Sequence, residues 1–158
     1  TYRYVILNRP VRSALDRHRA WQLRVPIDAA VMQVAASHLI GEHDFSSFRA
    51  AGCQSKNPVR RIEALEVVRH GEHVVIEVRA NGFLYHMVRN IVGSLVRAGS
   101  GEAEPGWLGE LLALKDRRVA APTAPSAGLF LAAVHYPEVF GLPVPSSRLV
   151  SSAEWRDR

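Results

Sequence analysis

Cysteine and long apolar runs are both scarce in this chain of 158 residues. Cys53 is the only cysteine, which excludes an internal disulfide framework and a cluster of thiolate metal ligands. No apolar run approaches the roughly 18 residues that identify a membrane-spanning helix. These two absences predict a soluble, cytoplasmic protein that has no membrane partner.

Several motifs of enzyme active sites are also absent. The chain has no phosphate-binding P-loop, no dinucleotide glycine fingerprint and no serine nucleophile elbow. Seven histidines are present, but His38, His43 and His86 have no ligand spacing with an acid or a cysteine. We therefore expect neither a metal site nor a cofactor.

Acidic residues are few in the segments that look functional. Asp44 lies inside a loop predicted over residues 42–58, where a carboxylate typically orders the backbone by accepting N–H bonds. Asp16 and Asp28 lie in basic or helix-capping surroundings. None of these acids is a convincing nucleophile.

Positive charge is concentrated in the first part of the chain. Residues 1–61 contain ten Lys or Arg and four Asp or Glu, a balance of +6, whereas residues 62–158 contain ten and eleven, a balance of −1. This distribution predicts a surface that follows a phosphate backbone, and the alternative is a solvated basic face without a ligand. The basic residues of this surface are Arg9, Arg12, Arg17, Arg19, Arg24, Arg49, Lys56, Arg60 and Arg61.

One arginine, Arg89, lies at the edge of an apolar helix face. Helical spacing predicts a helix over residues 85–100, with Arg89 between an apolar arc and a polar flank. Gly93, one turn on, has no side chain, so the guanidinium has room to bind a carboxylate or a phosphate. The alternative is that Arg89 reaches water or pairs with a nearby acid. The apolar arc contains Leu84, Val88, Ile91, Val92 and Leu95, and the polar flank contains His86, Asn90, Ser94 and Arg97.

The other periodicities predict an α+β fold, with an antiparallel or mixed β-sheet and helices packed on one face. Residues alternate as in strands over 1–8, 59–70, 73–80 and 129–136, and the middle two form an antiparallel hairpin. A helix is predicted over residues 28–40, capped by Asp28 and closed by Gly41. Its predicted face is Val31, Val34, Ala35, His38 and Leu39. Pro105 starts a further helix.

Four segments, in this order, closely resemble the carboxy-terminal half of the tRNA pseudouridine synthase A family. The first is Tyr2-Arg3-Tyr4 followed by Asn8. The others are GEHDFSSFRAAGCQSKNPVR, NGFLYHMVRNIVGSLVRAG and KDRRVAAPTAPSAGLFLAAVHYP. The resemblance assigns residues 1–143 to this domain and leaves residues 144–158 as a tail that we expect to be flexible.

The resemblance implies a pseudouridine synthase-like fold and the isomerisation of uridine to pseudouridine in the anticodon stem-loop of tRNA, without a cofactor. It also implies a homodimer. In the family, the nucleophile is an aspartate in an Arg-Thr-Asp-x-Gly-Val-His motif of the amino-terminal half, and this chain lacks that motif. We therefore expect the chain to be a piece of a longer protein and to be inactive alone.

The resemblance also assigns roles to individual residues. Tyr2 matches the active-site tyrosine that packs on the target base and is a candidate for handling the proton at carbon 5. Arg89 matches the arginine that pairs with the catalytic aspartate. The residues expected to line the same cleft are Phe83, Leu84 and His86, and those expected to contact the tRNA backbone are Arg49, Lys56 and Arg60.

Two other functions remain open at this point. The chain could be a non-catalytic RNA-binding α+β module that uses Tyr2, Tyr4 and the basic amino-terminal part. It could also be a structural or dimerisation domain whose basic surface is incidental. For Tyr2, the alternative to a catalytic role is a core tyrosine on an edge strand.

Overall fold

The structure is a computed structural model that describes residues 1–142. The tail predicted over residues 144–158 lies outside this part. The strands are β1 (Tyr2–Asn8), β2 (Trp21–Leu23), β3 (Gly41–Asp44), β4 (Val59–His70), β5 (His73–Ala80) and β6 (Leu129–Leu131). The helices are α1 (Ala29–Ser37), α2 (Met87–Gly99) and α3 (Trp107–Leu114).

The strands form one mixed sheet in the order β2-β1-β5-β4-β3, and β6 also pairs with β1. The β1–β2 pair is parallel and the other pairs are antiparallel. The main core lies between this sheet and the three helices, whereas a small cluster of Val5, Leu7 and Ala20 lies apart from it. The predicted α+β fold is therefore confirmed, and so is the β4–β5 hairpin with the bounds predicted for it.

The two tyrosines of strand β1 differ in burial. Tyr4 is fully buried in the main core, and its hydroxyl donates a hydrogen bond to the Pro125 carbonyl at 2.6 Å. Burial raises the pKa of Tyr4 well above the ordinary value for tyrosine. Tyr2 is half-buried and packs only against the edge of the core. Tyr2 is thus the tyrosine that solvent or a ligand can reach.

Helix α1 begins as predicted and ends earlier than predicted. The Asp28 carboxylate caps it by accepting hydrogen bonds from the backbone N–H groups of Ala30 and Val31 at 2.8 and 3.2 Å. The helix ends at Ser37 instead of residue 40. Gly41, with φ of 105°, is not a helix cap, because it is the first residue of β3.

The buried face of α1 also differs from the predicted one. Val34 is 55% exposed, whereas Met32, Ala35, Ala36 and Leu39 are fully buried. Met32 packs so close to Gly99 of α2 that a Cβ there would overlap the Met32 side chain. Because Ala35 and Ala36 are small, α1 lies close to the elements packed against it. Apolar spacing alone did not indicate this close packing.

The segment predicted as a loop over residues 42–58 contains the short strand β3, which pairs with β4. Asp44 ends this strand and orders the following turn as predicted, because its carboxylate accepts hydrogen bonds from the Ser46 N–H at 3.0 Å and the Ser46 hydroxyl at 2.6 Å. Burial raises the pKa of Asp44, but the bonds from Ser46 and the ion pair with Lys115 bring it below its usual value.

The last predicted strand is shorter than expected. Strand β6 ends at Leu131 instead of residue 136. The N–H groups of Ala132 and Ala133 both donate to the Thr1 carbonyl, so the ladder with β1 stops there. Helix α3 is confirmed, although it begins at Trp107, two residues after Pro105. Among residues 1–142, no helix combines the length and apolarity needed to cross a membrane.

Candidate active-site cleft

A cleft of about 810 Å³ brings together five of the residues predicted for the site. These residues are Tyr2, Phe83, Leu84, His86 and Arg89. The rest of the lining consists of Leu129 of β6, residues 52–55 of the loop after β3, and Tyr85, Met87 and Val88 around the start of α2. Residues far apart in the sequence thus line one cavity beside the N-terminus of α2.

Helix α2 begins two residues later than predicted. It begins at Met87, because His86 has left-handed backbone angles (φ 58°, ψ 10°) that cannot continue a helix. Such a conformation costs roughly 1–2 kcal/mol for a residue with a Cβ. The polar flank was predicted wrongly as well, since Asn90 and Ser94 are fully buried.

The Arg89 guanidinium is held at two of its nitrogens. Its Nε donates to the Ala124 carbonyl at 2.7 Å, and its Nη1 lies 3.2 Å from Nε2 of His86. The Ala124 N–H in turn donates to the Arg89 carbonyl at 3.1 Å. Within residues 1–142, no carboxylate forms an ion pair with Arg89 and its Nη2 has no hydrogen-bond partner. The guanidinium is therefore oriented, and no carboxylate of the described residues neutralises it.

His86 is the residue that connects this arginine to the cleft wall. Its ring stacks on Tyr85, with centroids 3.9 Å apart and planes 24° apart. Burial, and then the charge of Arg89, lower the pKa of His86 below its ordinary value. The lowered pKa favours the neutral ring, in which the Nε2 lone pair can accept from Arg89.

Tyr2 and Phe83 form an aromatic wall of the cleft. Their rings meet edge to face, with centroids 5.0 Å apart and planes at 90°, a favoured geometry for aromatic pairs. In the described part of the chain, the Tyr2 hydroxyl has no hydrogen-bond partner. Leu84 is buried and its carbonyl accepts from the Met87 N–H at 3.0 Å, which fixes the turn into α2.

The opposite rim is the loop after β3. The Ala50 N–H donates to the Tyr85 carbonyl at 3.1 Å, and the Tyr85 N–H donates to the Cys53 sulfur at 3.4 Å. The pKa of the Cys53 thiol is lowered, and the main cause is the hydrogen bond from the Tyr85 backbone N–H. These bonds attach the rim to the residues that precede α2.

The three residues expected to contact the tRNA backbone do not line the cleft. Arg49 donates to the Cys53 carbonyl at 3.0 Å, and Arg60 donates to the Ser55 hydroxyl at 2.8 Å. Both arginines therefore hold the rim in place. Lys56 is exposed beside them. Their contact with tRNA stays a prediction.

Gly93 has a different function from the one expected. The space beside it is filled by backbone, since a side chain at Gly93 would collide with the Pro122 carbonyl oxygen. The glycine lets residues 122–124 approach α2 closely, and Ala124 then reaches Arg89. Gly93 thus supports the arginine indirectly and does not make room for its ligand.

A polar network that the sequence did not predict lies behind the cleft. The Asn90 side-chain oxygen accepts from Arg117 at 3.0 Å and from the Thr123 hydroxyl at 2.7 Å, while its nitrogen donates to the Phe48 carbonyl at 2.7 Å. Arg117 also donates to the Ala121 carbonyl at 2.9 Å. This network holds the segment that contains Ala124. The only signal for this network in the sequence was Asn90, a polar residue at a helix position that other elements cover.

The geometry allows two kinds of chemistry. The free side of a guanidinium binds a carboxylate or a phosphate in a bidentate manner, and an aromatic wall stacks with a planar base. Among residues 1–142, no group of three or more His, Cys, Asp or Glu side chains is arranged to hold a metal ion. The cleft therefore combines a place for a planar ring with a place for an anion.

Comparisons with known proteins agree with this combination. The family model described as tRNA pseudouridine synthase matches residues 35–137. The tRNA pseudouridine synthase A of Methylococcus capsulatus is 53% identical over 141 residues, which are 89% of this chain and 52% of that protein. The protein of the same name from Citrobacter koseri is 51% identical over 142 residues, 90% of this chain and 53% of that protein.

A third relative gives the same result. The tRNA pseudouridine synthase A of Thiobacillus denitrificans is 49% identical over 147 residues, 93% of this chain and 56% of that protein. The chain thus spans about half the length of these curated relatives. Because the family match covers more than half of the chain and includes the loop and helix that line the cleft, this chain belongs to the tRNA pseudouridine synthase family.

Proposed function

We propose that this chain supplies the tyrosine and arginine side of the active site of a tRNA pseudouridine synthase that acts on the anticodon stem-loop. The observation that carries the proposal is Arg89, a cation at the cleft that has no carboxylate partner among residues 1–142. A guanidinium in this state is prepared to bind an anion. We infer that the nucleophilic aspartate comes from polypeptide outside this chain.

The reaction is a redox-neutral isomerisation. The bond from N1 of uracil to C1′ of the ribose breaks, a bond from C5 to C1′ forms, the proton on C5 leaves, and N1 gains a proton. A uridine in a stem must first leave the base stack, at a cost of a few kcal/mol. Tyr2 and Phe83 offer the aromatic surface for that base, and the unpaired Tyr2 hydroxyl is our candidate for handling the C5 proton.

The partner that we propose is tRNA, bound through its phosphate backbone. Lys56 on the rim and the basic residues before residue 62 provide the positive charge for it. We also propose that the complete protein works in the cytoplasm as a homodimer. Exposed apolar side chains near the end of the described part favour a surface that the second subunit covers. They include Leu131, Tyr136 and Phe140.

The test compares this chain with the complete protein from which it is taken. Both are incubated with tRNA whose uridines carry tritium at C5, and released tritium is counted. We expect release by the complete protein and none by residues 1–158, because the chain lacks the nucleophile. Turnover by the chain alone would overturn the assignment of roles.

The same experiment separates the two alternative functions. If the complete protein binds tRNA in a salt-dependent manner but releases no tritium, it is a non-catalytic RNA-binding module. If it does not bind tRNA at all, the domain is structural or serves dimerisation.

A further inference from the structure

His86 occupies a backbone conformation that helix capping does not explain. Residues at the N-cap position normally have extended angles and accept a hydrogen bond from the first turn through the side chain. His86 is left-handed instead, and its side chain makes no capping bond. Its ring points to Arg89, with 3.2 Å between Nε2 of the histidine and Nη1 of the arginine.

The contact has a defined direction. An arginine only donates hydrogen bonds, so the imidazole nitrogen that faces it must be the unprotonated one. His86 can accept this bond only as the neutral ring that carries its proton on Nδ1. A protonated ring would have no lone pair for Arg89 and would repel its charge.

We propose that His86 is a positioning residue, whose neutral imidazole, together with the Ala124 carbonyl, orients the Arg89 guanidinium so that its remaining N–H groups face the cleft. The bonds to Ala124 and His86 hold Nε and Nη1, and they leave Nη2 available. The inference rests on the proposed function, in which Arg89 binds the catalytic carboxylate. A small rotation of the Arg89 guanidinium would misplace that carboxylate.

The surroundings of the ring agree with this function. Among the described residues, the other titratable groups that line the cleft are Tyr2 from β1, Cys53 from the rim and Tyr85 beside the ring, and the one cation there is Arg89. Burial and that cation lower the pKa of His86, which favours the neutral ring. When the pH falls through this lowered pKa, the acceptor is lost and we expect kcat to fall.

The test uses two variants of the complete protein with tRNA as substrate. His86→Gln keeps an oxygen that can accept from Arg89, whereas His86→Leu removes the acceptor. We expect His86→Leu to lower kcat by about 10- to 100-fold, as displaced catalytic groups do, with little change in KM for tRNA. His86→Gln should recover most of kcat and lose the acid-side fall that His86 causes.

A matched control is His38→Gln, since His38 is exposed at the end of α1 and does not line the cleft. It should leave kcat unchanged. Equal losses in His86→Gln and His86→Leu, or a change in KM alone, would overturn the positioning function. An inactive wild-type protein would overturn the proposed function itself, so the two failures are distinguishable.

A second measurement does not depend on activity or on a variant that folds. Nitrogen NMR of the complete protein with ¹⁵N-labelled histidine reports the protonation of each ring nitrogen. We expect His86 to be neutral at pH 7.5 with its proton on Nδ1. A ring that carries its proton on Nε2 cannot accept from Arg89, and that result would refute the inference.

Discussion

Two half-buried arginines, Arg89 and Arg117, hold the same segment of residues 121–124 and differ in how completely they are paired. Arg117 donates to the Ala121 carbonyl, to Asn90 and to Thr123. Arg89 donates to the Ala124 carbonyl and contacts His86, and its Nη2 has no partner in the described part. Within residues 1–142, neither arginine has a carboxylate in an ion pair.

Arg117 is a cation that holds the fold together, whereas Arg89 is a cation that a ligand can still bind. Neutral acceptors bind both terminal nitrogens of the Arg117 guanidinium, Nη1 and Nη2, so a further ligand would gain little from it. Arg89 is fixed on one side and open on the other, which is the arrangement that a preorganised binding group requires. Similar burial of two arginines thus leads to different functions.

The largest effect that we expect is that of Arg89→Ala in the complete protein. Loss of the group that receives the catalytic carboxylate should lower kcat by about 100- to 1000-fold, while the free energy of unfolding falls by about 1–3 kcal/mol because the Ala124 carbonyl loses a donor. Tritium release and thermal denaturation measure the two quantities. A defect confined to tRNA affinity would indicate that Arg89 is only a phosphate contact.

Gly93→Ala tests the packing on which both arginines depend. The added methyl group would overlap the Pro122 carbonyl, and overpacking of this kind costs about 1–3 kcal/mol, more than the gain of about 1 kcal/mol from helix propensity. We expect a lower melting temperature and a lower kcat, because residues 122–124 must move. The control is Gly106→Ala, where the methyl group would meet no atom within 4 Å; equal stability of both variants would contradict this account.

Arg117→Ala should affect stability more than chemistry. The change leaves the Ala121 carbonyl without its donor and removes one of the two donors to the Asn90 side-chain oxygen, and a buried polar group left unpaired costs about 1–3 kcal/mol. We expect a lower free energy of unfolding in urea, with a smaller loss of kcat than in Arg89→Ala. Arg118→Ala is the matched control, since the Arg118 side chain is 89% exposed and, among the described residues, pairs with Asp116 alone. A loss of kcat as large as that of Arg89→Ala would remove the distinction between the two arginines.

Local patterns predicted the parts of the fold that depend on local chemistry. The β4–β5 hairpin follows from alternating residues around a Gly-containing turn. Asp28 and Asp44 were predicted correctly because their side chains bond to backbone N–H groups two or three residues away. The family resemblance, carried by whole motifs, identified the five residues that share the cleft.

The errors concern residues whose structure depends on distant partners. Strand β3 is short and polar, and its pairing with β4 makes it a strand. Asn90 is buried because Arg117, 27 positions away, bonds to it. The start of α2 depends on the left-handed backbone of His86, which helical spacing does not reveal. The function of Gly93 depends on Pro122, so helical spacing alone could not reveal it.

The smallest effect is expected on the rim of the cleft, where Lys56 is exposed and Arg60 is bonded to the loop. If Lys56 contacts a phosphate, Lys56→Ala should weaken tRNA binding and reduce the slope of log Kd against log salt by about 1, with kcat unchanged. Arg60→Ala, which also releases the Ser55 hydroxyl, should change kcat as well because residues 52–55 line the cleft. Titrations of tRNA at several salt concentrations measure the slope, and an unchanged slope for Lys56→Ala would remove this residue from the tRNA surface.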